Sequence, residues 1–235
     1  MTDLQDLVDR ASRIVFFGGA GVSTESGIPD FRSQDGLYHM QYKYPPEEIL
    51  SHDFFFRETG EFFRFYRDKL IGYEASPNAA HKKLAELERA GKLSAVITQN
   101  IDGLHQAAGS KRVLELHGSV ARNTCLRCGK KYGLEEIRRQ EGVPHCSCGG
   151  IIKPDVVLYG ESLDDGVIAE AIRALRSADL LIVAGTSLAV YPAAGLIRYY
   201  RGKDVAVINL DPLPLPSDAF FFQGKVGEIL GRIKA

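Results

Sequence analysis

Short apolar runs rich in β-branched residues recur along the chain at 14–17, 95–98, 113–116, 180–184 and 205–208. Continuous runs of this kind suit strands buried on both faces of a parallel sheet, with helices between them. A polar or glycine-rich cluster follows each run at once: Gly18-Gly19-Ala20-Gly21, Gln99-Asn100-Ile101-Asp102, His117-Gly118-Ser119, Gly185-Thr186-Ser187 and Asn209-Leu210-Asp211. In a doubly wound sheet such clusters share the carboxyl edge, where ligands bind. Ala219-Phe220-Phe221-Phe222 predicts a short sixth strand. Leu4, Leu7, Val8 and Ala11 recur at helical spacing before the first run, and Val226, Ile229, Leu230 and Ile233 do so at the end. Ser76-Pro77 predicts a helix start and Gly91 its stop, with Leu84 and Leu87 against the sheet. Phe54, Phe55, Phe56, Phe62, Phe63, Phe65 and Tyr66 crowd one helical region and are expected to be core. Positions 35–44, ending at Pro45-Pro46, predict a mobile loop.

With 235 residues and 45% hydrophobic content, the chain can bury one substantial core and a small satellite. Its 29 Lys and Arg against 30 Asp and Glu leave a net charge of −1, which excludes a basic field for nucleic acid and an acidic tail. Met1-Thr2-Asp3-Leu4-Gln5-Asp6 lacks the cationic start and apolar core of a signal peptide, and no run approaches the roughly 18 apolar residues of a membrane span. The expected setting is cytoplasmic, without a membrane partner. The cysteines form two pairs, Cys125-x-x-Cys128 and Cys146-x-Cys148, separated by 17 residues and flanked by Gly129, Gly149 and Gly150. This pattern predicts tetrahedral thiolate zinc in a ribbon whose second pair is one residue tighter than usual. His145 is a bystander because four thiolates close the shell. A redox reading needs a thioredoxin-like context that the segment lacks. The predicted architecture is α/β: a doubly wound, parallel, Rossmann-like sheet in a large domain (about 1–34, 76–118 and 158–235). A smaller domain combines a helical insert (about 35–75) with the zinc ribbon (about 119–157).

The loop after the first run permits close backbone approach to an anion, and the start of a following helix with free N–H groups would add positive potential. A complete G-x-G-x-x-G would need glycine at Thr24, and there is no second-strand acid of the dehydrogenase kind. The loop continues through Ser23, Thr24 and Gly27-Ile28-Pro29-Asp30-Phe31-Arg32. Together with Thr98-Gln99-Asn100-Ile101-Asp102-Gly103-Leu104-His105, Leu116-His117-Gly118-Ser119 and Gly185-Thr186-Ser187-Leu188, it resembles the signature of the sirtuins, the NAD-dependent protein deacylases. The matches come in the family's order and span nearly the whole chain.

The resemblance implies an NAD-dependent lysine deacetylase that yields nicotinamide, deacylated lysine and O-acyl-ADP-ribose. It makes His117 the base that activates a ribose hydroxyl, a role that suits an imidazole with an ordinary pKa of about 6.5. Asn100 and Asp102, with Ile101, Ile28 and Asp30, are implied to hold nicotinamide. Phe31 is implied to shield the ribose carbon, and Arg32 the phosphates. Gly19, Ala20, Gly21, Ser23, Thr24, Gln99, Gly185, Thr186, Ser187, Asn209, Leu210, Asp211 and Val226 complete the implied NAD site. The zinc at Cys125, Cys128, Cys146 and Cys148 is implied to be structural. Val157, Leu158, Tyr159, Gly160 and Glu161, facing Val190, resemble the segments between which an acetyl-lysine peptide adds as a strand. Two departures stand out: Asn209 to Pro214 is proline-rich where relatives often have Thr-Pro, and Gly18 replaces a common Thr. Relatives that prefer succinyl groups carry Tyr-x-x-Arg where this chain has Phe63 and Tyr66. An apolar tunnel of Phe63, Val157 and Tyr159 is therefore expected to favour acetyl, with Arg67, on the same helical face as Phe63, the residue that would upset this. The chain is expected to act as a monomer. Mono-ADP-ribosyl transfer on the same site and an NAD-sensing module without turnover are the alternative functions.

Overall fold

Burial with a period of two builds the centre of the molecule. In β1 (Ile14–Gly18), Ile14 and Phe16 enter one core while Val15 and Phe17 enter the opposite one, all sealed from solvent. β7 (Leu180–Ala184) repeats this, with Leu180, Ile182 and Ala184 on the first side and Leu181 and Val183 on the second. Such strands belong in the interior of a sheet covered on both faces. The structure is a computed structural model that describes residues 3–30, 43–213 and 218–235. Its six-stranded sheet has the order β3 (Val113–Glu115), β2 (Leu93–Thr98), β1, β7, β8 (Asp204–Asn209), β9 (Phe220–Gln223), and every pairing is parallel. All the predicted strands are present, the last including Phe220 to Phe222.

Helices cover both faces. α1 (Leu4–Arg10), α5 (Ala79–Arg89) and α9 (Val226–Leu230) supply Leu4, Leu7, Leu84, Leu87 and Leu230 to one core. α8 (Asp165–Ser177) and the 3₁₀ segment Ala193–Tyr199 supply Ala171, Leu175, Ala194 and Leu196 to the other. The chain leaves β1 toward β2 and β3, then returns to β7 on the other side of β1. The switch point, and hence the ligand crevice, lies at the carboxyl ends of β1 and β7. One predicted boundary moves. The cap of α5 is Asn78, not Ser76, because the Asn78 side chain accepts from the N–H of Ala80 at 2.9 Å and also donates to the Val22 carbonyl at 2.8 Å. Gly91 ends this helix at φ +75°, as predicted.

A second, antiparallel sheet has the order β5 (Lys131–Gly133), β4 (Gly118–Cys125), β6 (Ile152–Val156). Around it lie α2 (Pro46–Ile49), α3 (His52–Arg57), α4 (Thr59–Lys69) and α7 (Leu134–Arg138). Phe54, Phe55, Phe62, Phe63, Phe65 and Tyr66 form one cluster with Val120, Ile137 and Ile152, so the helical insert and the cysteine-bearing sheet share a core. Its rings meet edge to face, with Phe55 and Phe62 centroids 4.9 Å apart at 85°. Phe56 departs from the expectation: it is 53% exposed, on the outer face of α3. Among the described residues no helix is long and apolar enough to cross a membrane. Phe31, Arg32 and positions 35–42 of the predicted loop lie outside the described residues.

Candidate functional site

The glycines after β1 bring two loops into backbone contact. A Cβ on Gly19 would lie 2.8 Å from Thr186 Cβ, and one on Gly21 2.8 Å from Gly185 Cα. Gly185 itself sits at φ +55°, where a Cβ would be 2.5 Å from the Val22 nitrogen. The Gly21 N–H donates to the Gly185 carbonyl at 2.8 Å and the Gly19 N–H to Ala184 at 3.2 Å. These amides therefore knit the loops together and are not free for an anion, contrary to expectation. The chain then enters 3₁₀ turns at Ala20–Val22 and Thr24–Ser26, not the expected α-helix. Gly18 is explained by the core: a Cβ there would meet the Phe16 ring at 2.6 Å.

Around this floor lies a crevice of about 550 Å³. All five clusters that follow the sequence-predicted strands line it: the glycine loop, Gln99 to Asp102, His117, Gly185 to Ser187, and Asn209 to Asp211. Ser23, Thr24, Ile28, Asp30 and Val226 also face it.

Ser23 ties the polar groups together, its hydroxyl donating to Asp102 Oδ2 at 2.6 Å and accepting from Asn100 Nδ2 at 3.0 Å. Asp102 also accepts the Leu104 N–H at 2.9 Å, at the start of α6 (Leu104–Ala107). Gln99 Nε2 donates to the Thr186 hydroxyl at 3.0 Å, bridging the loops after β2 and β7. His117 Nδ1 lies 2.9 Å from the Gln99 carbonyl oxygen. A carbonyl only accepts, so Nδ1 carries the hydrogen and Nε2 keeps its lone pair. Burial pushes the His117 pKa below the usual 6.5, and the Gln99 carbonyl opposes that shift. The ring is thus neutral near pH 7, a proton acceptor walled by residues of three strand ends. Gly118 makes the sharp exit into β4 at φ +73°, where a Cβ would be 2.0 Å from the Asp155 carbonyl oxygen.

Val157, Leu158, Tyr159, Gly160 and Glu161 form the opposite wall with Val190. Tyr159 is held on the helical insert, its N–H donating to the Leu50 carbonyl and its carbonyl accepting from the His52 N–H, each at 2.9 Å. Glu161 lines the crevice, and one of its carboxylate oxygens, Oε2, accepts from Lys153 Nζ at 3.1 Å and from the Leu158 N–H at 2.9 Å. Phe63, expected in the acyl tunnel, is fully buried among the aromatic rings and does not line the crevice. Arg67 is likewise committed, donating to the Ile137 carbonyl at 2.8 Å and the Gly142 carbonyl at 3.1 Å. Arg64 pairs with Glu61 on the surface. The sequence reading missed Leu50, Lys69 and Leu70, which the helical insert brings to the crevice. The Ser51–Tyr159 bridge that places Leu50 leaves no local sequence signal.

At the far end, Asn209 Nδ2 donates to the Asp211 carbonyl at 2.8 Å, bracing the turn after β8. The Glu25 carboxylate accepts the Gly227 N–H at 2.6 Å, fastening the glycine loop to the start of α9 beside Val226.

Cys125, Cys128, Cys146 and Cys148 converge with all four sulfurs within 4.8 Å of one another. The Cys125–Cys148 and Cys128–Cys146 sulfur distances are 3.5 and 3.6 Å. A tetrahedron with Zn–S bonds of about 2.3 Å has edges of about 3.8 Å, so the set fits zinc and leaves no open position. The Cys128 N–H lowers the Cys125 pKa, and the Cys148 N–H, with the Tyr132 hydroxyl, lowers that of Cys146 to about 5; the Gly150 N–H favours the Cys148 thiolate, but the neighbouring sulfurs outweigh it and push that thiol up to about 12, the crowding that a bound cation would relieve. Gly150 is required here: a Cβ would meet the Cys125 sulfur at 2.8 Å. His145 points elsewhere, its Nδ1 lying 2.8 Å from the Val143 carbonyl.

The comparisons agree with this geometry. The chain is 54% identical over 235 residues to an NAD-dependent protein deacetylase of Clostridium acetobutylicum, covering 98% of this chain and 96% of the relative. It is 45% identical over 219 residues to one from Staphylococcus aureus, covering 92% and 90%. A Sir2 structure with a deacetylated p53 peptide and 3′-O-acetyl ADP ribose superposes with a TM-score of 0.86 at 42% identity, covering 96% of this chain and 94% of the other. A Sir2 homologue in complex with ADP ribose gives a TM-score of 0.89 at 38% identity, covering 98% and 94%. A family model described as the Sir2 family matches residues 19–192, the span that holds the glycine loop, His117 and the four cysteines, and the chain belongs to the Sir2 family.

Proposed function

We propose that this chain is an NAD-dependent protein-lysine deacetylase, which transfers the acetyl group of lysine to ADP-ribose and releases nicotinamide and O-acetyl-ADP-ribose. The observation that carries the reading is His117, locked by the Gln99 carbonyl with its Nε2 lone pair available in a walled crevice. Gly19 and Gly21 let the loops after β1 and β7 pack together, and the joined loops line the crevice where NAD is placed. When bound, NAD supplies the ribose carbon and the ribose hydroxyl that take up the acyl oxygen and acyl group. His117 Nε2 accepts the proton of that hydroxyl. Asn100 and Asp102, aligned through Ser23, hold the nicotinamide carboxamide with Ile28, Asp30 and Ile101.

Ala20, Thr24, Gln99, Thr186 and Ser187 serve the phosphates and riboses, and Asn209, Leu210, Asp211 and Val226 the adenosine end. Phe31 and Arg32 keep the ribose and phosphate roles that the family resemblance gives them. The peptide lies between 157–161 and Val190, with Val157, Leu158, Tyr159 and Gly160 lining it and Glu161 supporting that wall from within. Zinc at the four cysteines holds the small domain, which comprises about 35–75 and 119–157, against the large one. Thiolate ligation suits a reducing, cytoplasmic setting, and one protomer carries a whole site.

Incubation with an acetyl-lysine peptide and NAD, followed by mass analysis, tests the reading. Equal amounts of nicotinamide, deacetylated peptide and O-acetyl-ADP-ribose are expected. ADP-ribose on protein points to mono-ADP-ribosyl transfer, and bound NAD without nicotinamide release points to a sensing module; either overturns the proposal.

A further inference from the structure

A buried charge next to the crevice wall belongs to a residue that does not line it. Lys153, on β6, is 13% exposed in its side chain, and its ammonium donates to three acceptors: Pro154 O at 3.3 Å, Val156 O at 3.1 Å and Glu161 Oε2 at 3.1 Å. An ammonium has three hydrogens, so this one is fully used. The ring of Phe55, on α3, lies 5.9 Å from it. Glu161 spends the same oxygen on the Leu158 N–H at 2.9 Å, and the Glu161 N–H returns to the Leu158 carbonyl at 2.9 Å. Residues 158–161 thus form a closed turn with Gly160 at φ +90°, a conformation that favours glycine. Tyr159 fastens the same turn to the 50–52 segment, its N–H donating to the Leu50 carbonyl and its carbonyl accepting the His52 N–H.

We infer that Lys153 is a positioning residue for the acyl-lysine substrate: through Glu161 it fixes the 158–161 turn, and so sets the wall against which the acylated peptide lies. The inference rests on the peptide position given under the proposed function. Geometry makes it selective. The Lys153 hydrogen bonds all lie within 153–161, whereas Ser23 ties Asn100 to Asp102, and Gln99 holds His117 and reaches Thr186; one backbone bond, from the Val157 N–H to the His117 carbonyl at 2.9 Å, joins the two sides. Register gives it a second link: Lys153 pairs across the sheet with Thr124 and its neighbour Ile152 with the zinc ligand Cys125, so the strand that bears the ammonium begins beside the cysteine site.

Steady-state kinetics with an acetyl-lysine peptide and NAD, together with ADP-ribose binding and zinc content, test this on Lys153→Met, Lys153→Arg and the double variant Lys153→Met/Glu161→Gln. For Lys153→Met, kcat/KM for peptide should fall about 10- to 100-fold, mainly through KM, as expected when a wall shifts by an ångström or less. The ADP-ribose Kd should stay within about twofold, because Lys153 makes no hydrogen bond to a side chain assigned to NAD and His117 keeps its Gln99 partner. Lys153→Arg should recover part of the loss. The double variant, which leaves no uncompensated buried charge, should be no worse than Lys153→Met and keeps the test valid if the single variant folds poorly. Peptide KM unchanged in the folded variants, or peptide and ADP-ribose affinities falling in parallel, overturns the proposal while the wild type remains active. A wild type that binds ADP-ribose but never releases nicotinamide overturns the functional reading and this proposal with it.

Discussion

Replacing His105 by leucine is expected to protect the fold against acid. His105 is 1% exposed, neither ring nitrogen has a hydrogen-bond partner among the described residues, and its ring lies 4.7 Å from that of His81, whose Nε2 has none among them either. Burial lowers the His105 pKa to about 3, and the nearby His81 adds to this. Burial also lowers His81 to about 4, with Asp102 opposing. In the unfolded chain each titrates at about 6.5. The sign follows: between pH 6.5 and the folded values the unfolded chain binds protons that the native state refuses. Stability is therefore complete above about 6.5 and falls as pH drops toward 4. At about 1.36 kcal/mol per pH unit, His105 alone removes about 2 kcal/mol by pH 5, a figure set by the unfolded value as long as the folded one lies lower. Leucine fills most of the same space and breaks no hydrogen bond. At pH 7.5 the variant should be within about 1 kcal/mol of wild type, yet about 2 kcal/mol better off relative to it at pH 5. Urea unfolding of both proteins at the two pH values, with zinc held constant, measures the double difference, from which protonation of the cysteines cancels. Parallel stability profiles for the two proteins would refute the assignment of a buried, proton-refusing His105.

Three other outcomes follow from the site. His117→Ala should lose about 10²–10⁴ in deacetylation rate while keeping ADP-ribose affinity and zinc, and the wild-type acid limb of kcat/KM should have its midpoint below 6.5 because burial lowers the His117 pKa; a midpoint at or above about 6.5 contradicts that burial argument. Cys125→Ser or Cys148→Ser should lose the metal and loosen the sheet of β4, β5 and β6, since thiolate binding is coupled to folding; hydrogen exchange confined to residues outside 118–156 would count against it. Acetyl peptides should be turned over faster than succinyl peptides, as Arg67 is spent on the carbonyls of Ile137 and Gly142; a succinyl preference that disappears in Arg67→Met would show that the guanidinium leaves them.

What could be read from the sequence here is what depends on neighbours along the chain. Strand runs, and the clusters just after them, are local patterns, and parallel topology sends every cluster to one edge without any distance being known. The cysteine spacing carries the zinc site for the same reason. The readings that changed are those in which a distant element decides. Ser76 looked like a cap until Asn78, two residues on, found the Val22 carbonyl 56 positions away and anchored α5 to the glycine loop. Gly19 and Gly21 looked like an anion cradle, yet their amides are taken by Ala184 and Gly185, so their missing side chains serve loop against loop. Glu161 sat in a segment that resembles a substrate strand, and the bond from Lys153 to one of its carboxylate oxygens is invisible in the motif. In each case a backbone or side-chain polar group in a crowded place took a buried partner that the local sequence does not reveal, which is the outcome that the cost of an unpaired buried group demands. The polar groups left for chemistry are then those whose partners orient them without exhausting them. His117, with one nitrogen fixed and one spare, meets that condition, as does Asp102, whose two oxygens each accept one bond and keep room for another.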